Sequence, residues 1–62
     1  MYLFIGRYEK SIFVDVIKLD EKEKAIEFYQ RELLENQNGY NHIELLEQTA
    51  THYYTKIEEN AI

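Results

Sequence analysis

Two stretches near the amino terminus, residues 2–9 and 11–19, are dense in Tyr, Phe, Ile and Val, side chains that suit a pleated, half-buried surface. Glu9, Lys10 and Ser11 form a short polar connection between them, so the pattern predicts an antiparallel β-hairpin. Alternate side chains of a strand point to opposite sides. Setting Tyr8 opposite Ser11 therefore puts Leu3, Ile5, Arg7, Ile12, Val14 and Val16 on one face. The other face takes Tyr2, Phe4, Gly6, Tyr8, Phe13, Asp15 and Ile17. Both faces are largely apolar, one aliphatic and one aromatic. A hairpin covered on one side should read apolar inward and polar outward. This one carries a surplus, and the expectation is that another molecule covers its second side.

Helical patterns follow. Asp20 with Glu23 three positions on has the spacing of a capping box. Ala25, Ile26, Tyr29 and Leu33 then recur at helical intervals, with Phe28 and Leu34 on the margins. Asn36-Gln37-Asn38-Gly39 ends the run, Gly39 being suited to the left-handed conformation that closes a helix, which predicts a helix over roughly 21–37. A second start appears at Asn41, with Glu44 three later and Tyr40 placed to pack on Leu45 as a hydrophobic staple. Ile43, Leu46, Ala50, Tyr53 and Ile57 recur at steps of three and four, a narrow stripe that predicts a second helix packed on the first. The stretch Thr49–Thr55 has strand-like composition, but the apolar stripe runs through it, so residues 49–57 are read as helix. The expected fold class is α+β: an antiparallel β-hairpin followed by two helices (ββαα), both packed on the aliphatic face of the hairpin.

At 62 residues the chain makes one small domain, residues 1–62, with a core near the lower limit for independent folding. It has no cysteine, so disulfides and thiolate zinc sites are excluded. The apolar start stops at Arg7, too early for a signal-peptide core, and no run approaches the roughly 20 apolar residues that cross a bilayer. A cytoplasmic protein without a membrane partner is expected. Seven Lys plus Arg against twelve Asp plus Glu give a net charge of −5. All of that excess lies in residues 32–62, where six acids face only Lys56. An acidic chain is ill suited to bind nucleic-acid phosphates directly.

Candidate chemistry is sparse. His42 and His52 lie ten residues apart, about 15 Å along a helix, so they cannot share a metal ion. Ser11 is the only serine, which leaves no serine–histidine–acid set. Gly6 and Gly39 are the only glycines, which leaves no phosphate-binding loop. No catalytic residue and no cofactor are expected. The aromatic residues Tyr2, Phe4, Tyr8 and Phe13, with Asp15 among them, are the candidate partner-binding set. Stacking platforms for bases need a basic groove, which is missing, whereas aromatic residues are enriched in protein interface cores. Asp15 has two readings: an anchor for a partner's Arg or Lys, or a wet strand acid that discourages aggregation.

The expected function is a non-catalytic protein-interaction module, a small regulator or inhibitor of the phage or mobile-element type that binds a larger protein. A homodimer is expected, because so small an unstapled core gains from further burial. The alternative is an acidic mimic of phosphates that blocks a nucleic-acid-binding enzyme through Glu44, Glu47, Glu58 and Glu59.

Overall fold

A computed structural model describes residues 1–62. Its elements run β1 (Tyr2–Arg7), β2 (Val14–Leu19), α1 (Lys22–Glu35), β3 (His42–Ala50) and β4 (Tyr53–Ala61). The four strands form one antiparallel sheet in the order β2-β1-β3-β4, and α1 packs across one of its faces. The expected ββαα arrangement is therefore corrected: a second hairpin stands where the second helix was expected.

The physical reason lies in two competing periods. The stripe from Ile43 to Ile57 fits a helical spacing. A period of two fits as well, with Ile43 and Leu45 inward and Glu44 and Leu46 outward, and here it wins. Thr, Tyr and Ile between positions 49 and 57 favour the strand, and Ala50 pairs with Tyr53 across the two-residue turn Thr51-His52. Asn41 caps no helix. Its backbone N–H donates to the Arg7 carbonyl and its own carbonyl accepts from Ile62, while its Oδ1 accepts from the Glu9 N–H at 2.7 Å. It ties three segments together at one end of the sheet.

The hairpin β1–β2 is present, but Phe4 pairs with Ile17 and Arg7 with Val14. The second strand thus begins at Val14 rather than at residue 11. The connection Tyr8–Phe13 leaves Ile12 93% and Phe13 76% exposed. This register differs from the expected one by two residues, an even shift that keeps each residue within the strands on its expected face, while Ile12 and Phe13 drop out of the two face sets into the connection. What is reversed is which face turns inward. The aromatic face meets α1, and the aliphatic face is left open.

Ring packing explains the choice. Phe4 touches Phe28 edge-on with centroids 5.0 Å apart, Tyr29 at 6.3 Å and Tyr40 at 5.7 Å, and Tyr8 lies 5.1 Å from Tyr40. Aromatic rings bury more area than aliphatic side chains and gain further from tilted contacts. The core consists of Phe4, Ala25, Tyr29, Tyr40, Ile43 and Leu45. Tyr40, expected as a staple outside a helix, is one of its centres.

The ends of α1 also differ from the expectation. Glu21, in extended conformation, precedes the first turn and no side chain caps it, so the Asp20–Glu23 capping box does not form. The helix stops at Glu35 because Asn36 turns left-handed at φ 43°. Gly39, at φ 75°, turns the connection further on. Asn36 tolerates this conformation because its amide bonds locally: Oδ1 accepts from the Tyr40 N–H at 2.8 Å and Nδ2 donates to the Tyr40 carbonyl at 2.9 Å. Asn36→Ala loses both bonds and the left-handed tolerance, an expected loss of about 2 kcal/mol in urea denaturation. Unchanged stability would show that the clamp on Tyr40 is dispensable.

Candidate interaction surface

The residues picked out as a partner-binding set divide sharply. Phe4 is fully buried. Tyr2 and Tyr8 are half-buried beside the core, with hydroxyls donating to Glu47 Oε2 and Asp15 Oδ2, both at 2.9 Å. Asp15 also accepts from the Tyr40 hydroxyl at 2.7 Å, so its carboxylate is engaged within the chain. Phe13 alone points into solvent, on the connection away from the others. The structure thus gathers Tyr2, Phe4, Tyr8 and Asp15 on the helix side and leaves Phe13 apart.

The opposite face of the sheet is uncovered. No second helix reaches it, and the outward positions of the strands are not uniformly polar. Register and alternation place Val14 and Val16 of β2, Leu3 and Ile5 of β1, Leu46 of β3 and Tyr54 of β4 on this side. Leu3 sits opposite Leu46, and Ile5 opposite Val16. Together these six side chains form an apolar band running diagonally across the face, from the Val14 corner to the Tyr54 corner. Val16 is 51% exposed; Leu3, Ile5 and Leu46 are half-buried by their neighbours.

One corner off this diagonal holds a charged network. Glu44, 8% exposed, receives Arg7 Nε on Oε1 at 3.0 Å and has Lys56 Nζ 3.5 Å from Oε2. Glu59 Oε2 lies 3.1 Å from Lys56 Nζ and 2.8 Å from His42 Nε2. Lys56, followed by His42, holds the Glu59 carboxyl below its ordinary value. Glu59 in turn raises Lys56. One ligand atom from each of His42, Glu44 and Glu59 lies within 4.8 Å of the others, a spacing a metal ion accepts. The chemistry does not fit one. Arg7 and Lys56 already balance the two carboxylates, so a divalent ion would add charge to a neutral network. The arrangement is an ion-pair cluster that fixes β1, β3 and β4 to each other. The opposite corner carries Lys18, which makes no ion pair within the chain.

The one concavity, about 320 Å³ between α1 and β2, is lined by Leu19, Lys24, Glu27, Phe28 and Arg31. It opens broadly to solvent and gathers no nucleophile or base. No helix is long and apolar enough to cross a membrane. The band was legible in the sequence as a set of alternating aliphatic positions, but that set was assigned to the domain's own core. The helical pattern of residues 43–57 places Leu46 in the core and Tyr54 on an outward margin available to another chain; in the sheet both lie on the open face. Comparison with protein-family models, with curated proteins and with solved structures gave no match.

Proposed function

We propose that the protein is a non-catalytic interaction module whose contact surface is the uncovered side of its sheet. The observation that carries this reading is the diagonal band Val14–Val16–Ile5–Leu3–Leu46–Tyr54, lying where a one-sided antiparallel sheet ordinarily presents polar residues to water. Contiguous apolar surface of this kind marks sites of protein contact. Such a module regulates or inhibits by occupying the surface of another protein, and a cytoplasmic setting belongs to the same reading. The phosphate-mimic alternative has less in its favour: Glu44, Glu47 and Glu59 are engaged by Arg7, Lys56, His42 and Tyr2 and do not form a free acidic row.

A photo-crosslinking residue at position 16, compared with one at Gln30 on the exposed side of α1, tests the surface in the producing cell. Adducts from position 16 and none from position 30 are the expected result. Adducts from position 30 alone, or from neither, contradict it. Val16→Glu is expected to abolish these adducts' underlying complex while changing folding stability by no more than about 0.5 kcal/mol, since Val16 is half exposed.

A further inference from the structure

We infer that the free edge of β2 accepts an extended segment of another protein as a fifth strand, one whose side chains toward the helix alternate acid, apolar, acid. This edge is distinct from the open sheet face, and the inference does not rest on the reading of that face.

The sheet ends in two unpaired edges, β2 and β4, and they differ in regularity. β2 pairs with β1 from Val14 to Leu19 without a break, so its outer N–H and C=O groups keep the even spacing that an added strand needs. β4 is the longer edge, with nine residues, but its register with β3 slips between Leu45 and Leu46 and again between Gln48 and Ala50. Irregularities of this kind bend and twist a strand and discourage edge pairing. Length favours β4, and regularity favours β2.

The concavity decides between them. It lies between α1 and β2, and nothing comparable adjoins β4. A strand added beside β2 lies about 4.8 Å beyond it, along the side of α1 that carries Lys24, Glu27, Phe28 and Arg31. Its helix-side residues then enter the hollow against Leu19 and Phe28, both only half-buried. In strand addition the main chain supplies affinity, and pockets for alternate side chains supply selection.

Charge sets the chemistry of those side chains. Lys24 and Arg31 stand at the two ends of the helical stripe with Phe28 between them, about 10 Å apart along the axis. Helix-side residues first and third in the alternation are about 14 Å apart on an extended strand, within reach of two long flexible cations. Arg31 makes no ion pair within the chain, and Lys24 makes only an exposed one with Glu21 at 3.8 Å. Glu27 is the one acid in the lining, which leaves it at 2 − 1 = +1 in a chain of −5. Two acids flanking an apolar residue complement this lining, and two bases are repelled by it.

Titration of the isotope-labelled intact chain with the end-blocked peptide Thr-Glu-Thr-Ile-Thr-Glu-Thr, followed by NMR, tests the assignment. The expected results are shifts at the amides of Val14–Leu19, slower hydrogen exchange at those pointing outward, and weaker binding at high salt. Arg31→Glu is expected to weaken binding about fivefold or more with an unchanged circular dichroism spectrum. The same peptide with Lys in place of Glu, or N-methylated at every amide, is expected not to bind. No shift at millimolar peptide, shifts along β4 instead, or equal binding of either control peptide overturns the proposal. Hexanoate that reproduces the shifts around Phe28 while the β2 amides stay unmoved makes the hollow a site for small anions and overturns it too. Shifts at Val14–Leu19 that grow with the protein's own concentration, without peptide, name a second copy as the added strand and overturn the acidic partner.

Discussion

Gly6→Ala is expected to leave the protein unfolded, or close to it, in water at room temperature. Gly6 lies in the inner strand β1, paired with Asp15 on one side and Ile43 on the other, and it is fully enclosed. The Tyr40 ring rests directly on its Cα. A methyl group there would fall inside the ring, against Cε1, Cδ1 and Cζ. The ring has no room to retreat. Phe4 of β1 and Tyr8, just beyond the end of that strand, flank it. Its hydroxyl donates to Asp15 at 2.7 Å and accepts from Asn38 Nδ2 at 3.2 Å, and its backbone is clamped by Asn36. Forcing a group into a filled core costs about 1–3 kcal/mol or more, against the roughly 3–5 kcal/mol that an unstapled core of this size supplies. The glycine here serves close approach of a side chain to a strand, not an unusual backbone angle. Gly39 is the contrast, left-handed with open space beside it, so Gly39→Ala is strained locally but displaces nothing. Circular dichroism and urea denaturation of the two variants check this. A Gly6→Ala protein as stable as the parent would mean that Tyr40 is not wedged against the strand.

Alkaline pH is expected to unfold the protein in a transition that starts near pH 10. Four tyrosines have their hydroxyl pKa raised above the ordinary value of 10.0. For Tyr40 the causes are burial and then the Asp15 carboxylate it donates to. For Tyr8 they are burial and the same carboxylate. Tyr29 is raised by burial, and Tyr2 first by its hydrogen bond to Glu47. A group whose folded pKa lies above its unfolded one gives stability that is complete below the unfolded pKa and lost as pH rises through the folded pKa. The window therefore opens at about pH 10 and extends upward. Over it Tyr40 alone removes about 1.4 kcal/mol per pH unit, enough to exhaust a marginal fold within a few units. Tyrosinate absorbance rising together with the loss of the circular dichroism signal is the expected observation. Ionisation of all six tyrosines near pH 10 in a still-folded chain would refute it. Asp15→Asn keeps the contacts of Tyr8 and Tyr40 but removes the charge that raises their folded values, so the window still opens near pH 10 but closes at a lower pH, with less stability lost across it.

The first hairpin, its two face sets and the body of α1 were legible because they rest on short-range pattern. Period two holds from Tyr2 to Arg7, and Ala25, Ile26 and Tyr29 recur at helical spacing whatever surrounds them. The stretch 42–57 was not legible. Ile43 with Leu46 and Ile57 fits a helical stripe and Ile43 with Leu45 fits alternation, and pairing with β1, forty residues away in sequence, decides between them. The inward face was illegible for a similar reason. Tyr40, in a connection between elements, fills the hollow above Gly6 and draws the aromatic side inward.

The chain's own residues determined that the first two strands carry more apolar surface than one layer covers, because that excess is a property of alternation and composition. Which side stays uncovered was settled only in three dimensions, where Tyr40, Phe28 and Tyr29 close over Phe4 and leave Val16, Ile5, Leu3 and Leu46 facing out. The same holds for Asp15 and Glu44. As isolated acids in strands they are ambiguous, and only contact with Tyr8 and Tyr40, or with Arg7 and Lys56, makes each an internal partner rather than a free charge. Burial and ion pairing depend on neighbours distant along the chain, and those distances collapse only when the sheet forms.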